Sequence, residues 1–153
     1  MSPINEFETK VSILINIVEE KAHMLQSILN ITNNQETVIK LEEDSQEIRT
    51  LFVQMSLEKQ KLADKILDND QIFNTTFENL ENFEENAKNH KDKIKILQTK
   101  VKLATDLDVK IRIAEEHNKN LLTQKRPKTK ISNLANKKAI VNKYKSNINM
   151  KGQ

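Results

Sequence analysis

Apolar residues recur every three or four positions from the start of the chain to about residue 43. This spacing places them on one face of a long helix. Ser2 and Pro3 suit its beginning, because serine caps a first turn and proline is tolerated in it. Further isoleucines widen the apolar face, so we expect this helix to pack against more than one neighbour. The residues that form the face are Phe7, Val11, Leu14, Val18, Ala22, Leu25 and Leu29.

The pattern stops at an acidic segment and then resumes as a second helix, predicted over 45–82. Asp44 or Ser45 can cap this helix, and Glu47 completes a capping box with Asp44. The asparagine-rich stretch 81–91 that follows predicts a turn. The apolar positions of the second helix are Ile48, Leu51, Phe52, Met55, Leu62, Ile66, Phe73, Phe77 and Leu80.

A third helix is predicted over 90–124, because a single apolar stripe runs along this part of the chain. Pro127 ends it, since the residue before a proline is disfavoured in the helical region. The residues of the stripe are Ile94, Leu97, Val101, Ala104, Leu107, Ile111, Ala114, Asn118 and Leu121.

Turn-forming residues are almost missing from the chain, which decides the fold class. The only glycine is Gly152, and the only prolines are Pro3 and Pro127. Sheets and loop-rich folds need such residues, so the chain is predicted to be all-α. The mean hydropathy of -0.66 indicates a narrow core. We therefore predict an elongated antiparallel bundle of three long helices, with residues 1–124 as its body.

Charge divides the chain into an acidic body and a basic tail. Residues 125–153 hold nine basic residues and no acidic one, which leaves residues 1–124 with 16 basic and 22 acidic residues, a net charge of -6. The tail is predicted to be mobile and disordered or partly helical. A basic tail can attract nucleic acid. However, it has one aromatic residue, Tyr144, and the body repels phosphates, so no nucleic-acid partner is expected.

Residue types that carry chemistry are scarce or badly spaced. Without cysteine, thiolate chemistry and disulfides are excluded. Glu20 and His23 have the spacing of half a di-iron site, but neither of the other histidines, His90 and His117, completes it. A single glycine also excludes a phosphate-binding loop. We expect no enzyme activity, no metal or cofactor and no small-molecule substrate.

The chain shows no feature of export or membrane insertion. Glu6 and Glu8 near the start do not fit the basic region of a signal peptide. The most apolar run, 11–18, has eight residues, whereas a membrane span needs about 20. A cytoplasmic protein is expected.

The apolar helix faces exceed what one three-helix seam requires, and the excess has two explanations. The faces could accept an amphipathic helix from a partner. They could equally pack against the third helix or a second copy of the chain. The residues in excess are Ile13, Ile15, Ile17, Ile28, Ile31 and Ile39.

An ordered series of residues resembles a known family. Ile31-Thr32-Asn33-Asn34-Gln35 lies near the end of the first helix, Glu58-Lys59-Gln60-Lys61-Leu62 with Ile66, Asp70 and Phe73 lies in the second, and Glu115-Glu116-x-Asn118 lies in the third. The chain is similar in these features to the FlgN-like flagellar export chaperones. The FliT-type chaperones of the same export system are the second resemblance.

The resemblance implies a function without covalent chemistry. Such a chaperone binds the C-terminal helical segments of hook-associated proteins, keeps them unassembled and delivers them to the export gate. Tyr144 in the tail would dock at the gate. A self-associating coiled-coil protein, including a homodimer, is the alternative. The residues that would bind the client are Ile94, Leu97, Val101, Leu107, Ile111 and Leu121.

Overall fold

The computed structural model describes residues 3–125 of the chain. They form four α-helices and no strand: α1 (Pro3–Lys40), α2 (Gln46–Glu78), α3 (Phe83–Asn89) and α4 (Lys91–Lys125). The prediction of an all-α helical bundle is confirmed. The helices number four in the described part, rather than three, because the polar stretch predicted as a turn contains the short α3.

Helix α3 forms because its short sequence suits both of its ends. Glu84 and Glu85 lie in its first turn and Lys88 in its last, which matches the helix dipole. Asn82 precedes it in the left-handed conformation, with φ of 50°. Asparagine adopts that conformation more readily than most residues. An asparagine-rich composition is therefore compatible with a short helix of about two turns as well as with a loop.

The beginning of α2 shows which of the two candidate caps is used. The backbone N–H of Ile48 donates to Ser45 Oγ at 3.2 Å, so Ser45 is the cap. The Asp44 carboxylate instead accepts a hydrogen bond from Arg49 Nε at 3.2 Å. The predicted capping box on Asp44 is therefore replaced by a serine cap and a local ion pair.

The described residues divide into two compact units. Unit 1 comprises residues 3–27 and Ala63–Val109. In it α1 runs antiparallel to α2, as the ion pair of Lys21 with Asp70 at 2.8 Å and the hydrogen bond of Lys10 to the Asn79 carbonyl at 3.0 Å show. The buried apolar residues of this unit are Phe7, Val11, Leu14, Val18, Leu25, Leu97, Ala104 and Leu107.

An aromatic cluster in unit 1 joins α3 to its neighbours. The Phe83 ring lies 6.1 Å from the buried Phe7 ring and 5.5 Å from Phe77, centroid to centroid. The His90 ring lies 5.4 Å from Phe7. These tilted arrangements are favourable for aromatic pairs. They explain why a seven-residue helix is held here.

Unit 2 comprises Ile28–Leu62 and residues 110–125. Its helices also pair with α1 antiparallel to α2, because Gln35 contacts Ser56 while Thr32 contacts Lys59. Its buried apolar residues are Ile28, Ile39 and Ile111. Much of its remaining interior is polar, which makes this unit chemically different from unit 1.

No helix within 3–125 combines the length and the apolar character that crossing a bilayer requires.

The observed helix ends lie within four residues of the predicted ones, at 40, 78 and 125 instead of 43, 82 and 124. Tyr144 and almost all of the predicted tail lie outside the described residues.

Candidate functional site

A cluster of polar side chains is buried in the interior of unit 2. Thr32 and Gln35 come from α1, Ser56 and Lys59 from α2, and Asn118 from α4, and each is at most 8% exposed. Burying polar groups costs free energy unless they are hydrogen-bonded. We call these five residues, together with Glu115, the polar network.

Hydrogen bonds connect the three helices within this network. Gln35 Nε2 donates to Ser56 Oγ at 2.8 Å, and Asn118 Nδ2 donates to the Thr32 carbonyl at 2.9 Å. Thr32 Oγ1 donates to the carbonyl of Ile28 at 2.8 Å, and Ser56 Oγ donates to that of Phe52 at 3.1 Å. Both hydroxyls thus bond one turn back along their own helices while also contacting another helix.

An ion pair lies at the edge of the network. Lys59 Nζ donates to Glu115 Oε1, and it is 3.4 Å from Thr32 Oγ1. The Lys59 side chain is 10% exposed, whereas that of Glu115 is 45% exposed. The lysine charge is therefore largely withdrawn from water, while its carboxylate partner remains partly solvated. A pair of this kind favours one alignment of the helices, because sliding one helix leaves a buried charge without a partner.

The network offers little to a substrate. Its donors are engaged by neighbouring acceptors, and it contains one carboxylate, so no pair of acids converges for acid–base work. Among the described residues, no group of three or more histidine, aspartate or glutamate side chains could hold a metal ion. The hydrogen bonds of the network join α1, α2 and α4 within unit 2.

Residues of the resemblance meet in this network. Thr32, Gln35, Lys59, Glu115 and Asn118 were taken from three separate helices, and the fold brings them together. The sequence did contain a signal for this: Thr32 and Gln35 continue the spacing of the apolar face of α1, and Asn118 lies on the stripe of α4. Polar residues at such positions are expected to find partners in the core.

The six residues predicted to bind a client lie at different depths. Leu97, Leu107 and Ile111 are buried, and Ile94 and Leu121 are half-buried. Val101 is 41% exposed. In this fold the Val101 side chain is accessible to a partner, whereas the buried three, Leu97, Leu107 and Ile111, are packed in the interior. Their part in client binding stays a prediction.

Three other apolar residues are exposed to solvent on α4 within unit 1. Ile96 and Leu103 are each 48% exposed, and Val109 is 49% exposed. Lys95 and Lys102 accompany them, also exposed. Ile96 and Leu103 were not predicted, because the most regular apolar stripe of α4 runs along another face of the helix. The seven-residue spacing of Ile96 and Leu103 was the signal that could have revealed them.

On the surface of unit 2, Glu36 contacts two basic side chains. Lys40 Nζ lies 2.8 Å from Glu36 Oε1, and His117 Nε2 lies 3.1 Å from the same oxygen. The hydrogen bond from Lys40, with a smaller contribution from His117, lowers the pKa of the Glu36 carboxyl below its ordinary value, and partial desolvation opposes this. These three residues, of which Lys40 and His117 are exposed and Glu36 is half-buried, link α1 to α4.

No protein-family model, no curated protein and no solved structure matches the chain. The described residues combine an exposed apolar face of α4, bordered by lysines, with a buried polar network.

Proposed function

We propose that the protein is a cytoplasmic flagellar export chaperone. It binds the C-terminal helical segments of hook-associated proteins, keeps them unassembled and delivers them to the export gate. The observation that carries the proposal is the amount of apolar side chain that the helices leave in water. The residue series that resembles the FlgN-like chaperones supports the same function.

Exposed apolar residues are concentrated in unit 1. Twelve large hydrophobic side chains in the described part of the chain are at least 37% exposed, and nine of them belong to unit 1. Single exposed apolar residues are ordinary, but series of them on helices are typical of surfaces that bind other helices.

The finer features of the proposal concern architecture and docking. Three long helices would form an elongated antiparallel body, with residues 125–153 as a basic tail. The client would contact α4, where the proposed residues are Ile94, Leu97, Val101, Leu107, Ile111 and Leu121. Val101 would contact the client directly, and the buried Leu97, Leu107 and Ile111 would support the contact surface from beneath. Tyr144 would contact the export gate.

Co-expression with a hook-associated protein tests the function directly. We expect the two chains to elute as one complex whose mass, measured by light scattering, equals the sum of the two. Deleting the C-terminal segment of the client should abolish the complex, and a peptide of that segment should compete for binding. If the full-length chain retains no hook-associated protein, the proposal is wrong.

Point variants separate client binding from delivery. Val101→Asp should weaken client retention, because it places a charge on the proposed contact surface. Leu51→Asp is the matched control, since Leu51 is 44% exposed and lies on α2 rather than on α4. Tyr144→Ala should retain the client but reduce its secretion. Equal client retention by both aspartate variants would contradict the role of Val101.

Self-association is the alternative that the same surfaces allow. In that case sedimentation of the chain alone would show a mass that rises with concentration. A homodimer that excludes the client would identify the exposed residues as an interface between copies.

A further inference from the structure

We infer that the solvent-facing side of α4 in unit 1 binds a helix that is both amphipathic and acidic. The surface consists of Lys95, Ile96, Lys102, Leu103 and Val109, and we call it the lysine stripe. The inference deepens the proposed function, on which it rests, because it specifies the chemistry of the client segment.

The geometry of the stripe follows from its spacing. Ile96 and Leu103 are seven residues apart, as are Lys95 and Lys102, and Val109 follows Lys102 by seven. Seven residues are about two helical turns, so the stripe forms two neighbouring rows that run along α4. One row is aliphatic and consists of Ile96 and Leu103. The other row consists of Lys95, Lys102 and Val109. A partner helix lying along α4 can contact both rows at once.

The part of α4 that carries the stripe is positively charged, mostly in its first half. Residues 91–109 contain five lysines and three aspartates, a net charge of +2, and residues 91–103 contain all five lysines and one aspartate, a net charge of +4. Lys93 and Lys100 are used within the unit, where each lies 3.3 Å from a glutamate of α1, Glu8 and Glu19 respectively.

The remaining lysines of this stretch are available to a partner. Within residues 3–125, no ion pair involves Lys91, Lys95 or Lys102. Two carboxylates, Asp92 and Asp106, lie on the same side of α4 near the ends of the stripe. Lysine charge therefore dominates its middle.

An acidic amphipathic helix is the occupant that matches both rows. Its apolar positions would cover Ile96 and Leu103, and its flanking glutamates or aspartates would lie opposite Lys95 and Lys102. Residues 125–153 of the chain itself are excluded by like charge, since they are basic throughout. A nucleic acid would use the lysines but would gain nothing from the aliphatic row, and the stripe has no aromatic residue on which a base could stack.

Two synthetic peptides of about three heptads test the inference. Both carry leucine at the a and d positions; one has glutamate at the flanking positions and the other has lysine there. Each is labelled with fluorescein and titrated with the full-length protein by anisotropy. We expect the acidic peptide to bind at least about tenfold more tightly than the basic one, with an affinity that falls as salt is raised.

Charge-reversal variants assign the binding to the stripe. Lys95→Glu/Lys102→Glu should weaken binding of the acidic peptide by about tenfold or more. Lys61→Glu/Lys119→Glu is the matched control, because it makes the same change in net charge at two exposed lysines outside the stripe. Ile96→Ala/Leu103→Ala should weaken binding without altering the charge. Circular dichroism establishes that each variant keeps its helices.

Several outcomes would overturn the inference. Equal binding of the two peptides, or equal loss in the stripe and control variants, would show that the stripe does not select acidic helices. Self-association removed by the stripe variants would assign the surface to a second copy of the chain. Binding of duplex DNA or anionic vesicles that depends on Lys95 and Lys102, without binding of the acidic peptide, would assign it to phosphate.

The same variants distinguish failure of this inference from failure of the proposed function. If the stripe variants retain a hook-associated protein as well as the unaltered chain does, the chaperone function stands and the docking surface is elsewhere. If the acidic peptide binds to the stripe but no hook-associated protein is retained, the surface stands and the client belongs to another class.

Discussion

Lys59 brings a positive charge into the interior of unit 2, and Glu115 is its partner there. A lysine taken out of water loses hydration energy, which a nearby carboxylate partly restores. Thr32 Oγ1 provides a further, weaker contact at 3.4 Å. Glu115, the most exposed residue of the network, therefore stabilises the buried positive charge of Lys59.

Glu115→Gln should destabilise the protein, because it keeps the side-chain shape but removes the charge opposite Lys59. We expect a loss of about 1–2 kcal/mol, less than for a fully buried pair, because Glu115 is partly solvated. Urea unfolding followed by circular dichroism measures the change. Glu116→Gln is the control, since Glu116 is an exposed neighbour and should change stability by no more than about 0.5 kcal/mol. Equal effects of the two substitutions would contradict this role for Glu115.

Glu36 should make stability depend on pH in the acidic range. Its pKa is lowered below the ordinary 4.5, chiefly by the hydrogen bond from Lys40. Its contribution is therefore fully present above 4.5 and is lost as the pH falls through the lower pKa of the folded state. Glu36→Gln should be less stable than the unaltered protein at about pH 7, and the difference should close towards about pH 3.

Urea unfolding at several pH values measures this difference. Lys40→Gln supplies the control background, because it removes the main cause of the lowered pKa and should narrow the difference at neutral pH. A difference that stays constant across the acidic range would show that Glu36 contributes through packing rather than through its charge.

A single side chain determines where α2 begins. Ser45 caps α2 through the N–H of Ile48, while Asp44 pairs with Arg49. Both residues can cap a helix, and their sequence positions differ by only one. Which of the two residues caps α2 depends on the path of the connection 41–45, which follows the end of α1 at Lys40.

Ser45→Ala should destabilise the protein by about 1 kcal/mol, because the first turn of α2 loses the hydroxyl that accepts from a backbone N–H. Thermal unfolding followed by circular dichroism measures the change. Ser27→Ala is the matched control: Ser27 is exposed inside α1, where its hydroxyl only bonds back to the His23 carbonyl. Alanine is the better helix former there, so Ser27→Ala should be neutral or slightly stabilising. Similar losses at both serines would contradict the cap assignment.

Residues 1–124 and residues 125–153 carry net charges of opposite sign. The net charge is +3 for the full sequence, and residues 125–153 supply nine basic residues against no acidic one. The remaining part carries -6. Such a difference governs association with charged partners rather than the fold.

Removing residues 125–153 should reverse the behaviour of the protein on an anionic matrix. We expect the full chain to bind heparin at low salt and to elute as salt rises, because salt screens surface charges. The truncated chain should pass through. Its circular dichroism spectrum controls for retained helices. Equal retention of both chains would mean that lysines within residues 1–124, such as those of the lysine stripe, are sufficient for binding.

Much of the fold could be predicted because its causes are local. The scarcity of glycine and proline and the regular spacing of apolar residues predict helices wherever they occur along the chain. The helix that was missed, α3, is seven residues long, and aromatic contacts such as Phe83 with Phe7 hold it. Those two residues are distant in sequence, so no local pattern could indicate their contact.

Local sequence patterns predict the long helices of residues 3–125, their approximate ends and their apolar faces, since these depend on residues within one or two turns. The meeting of Thr32, Lys59 and Glu115 is visible only in the folded molecule, because Thr32 and Glu115 lie 83 residues apart. On the apolar stripe of α4, Leu97 and Leu107 are buried, whereas Val101 is 41% exposed. Burial depends on which neighbour packs against a helix, and helical periodicity does not contain that information.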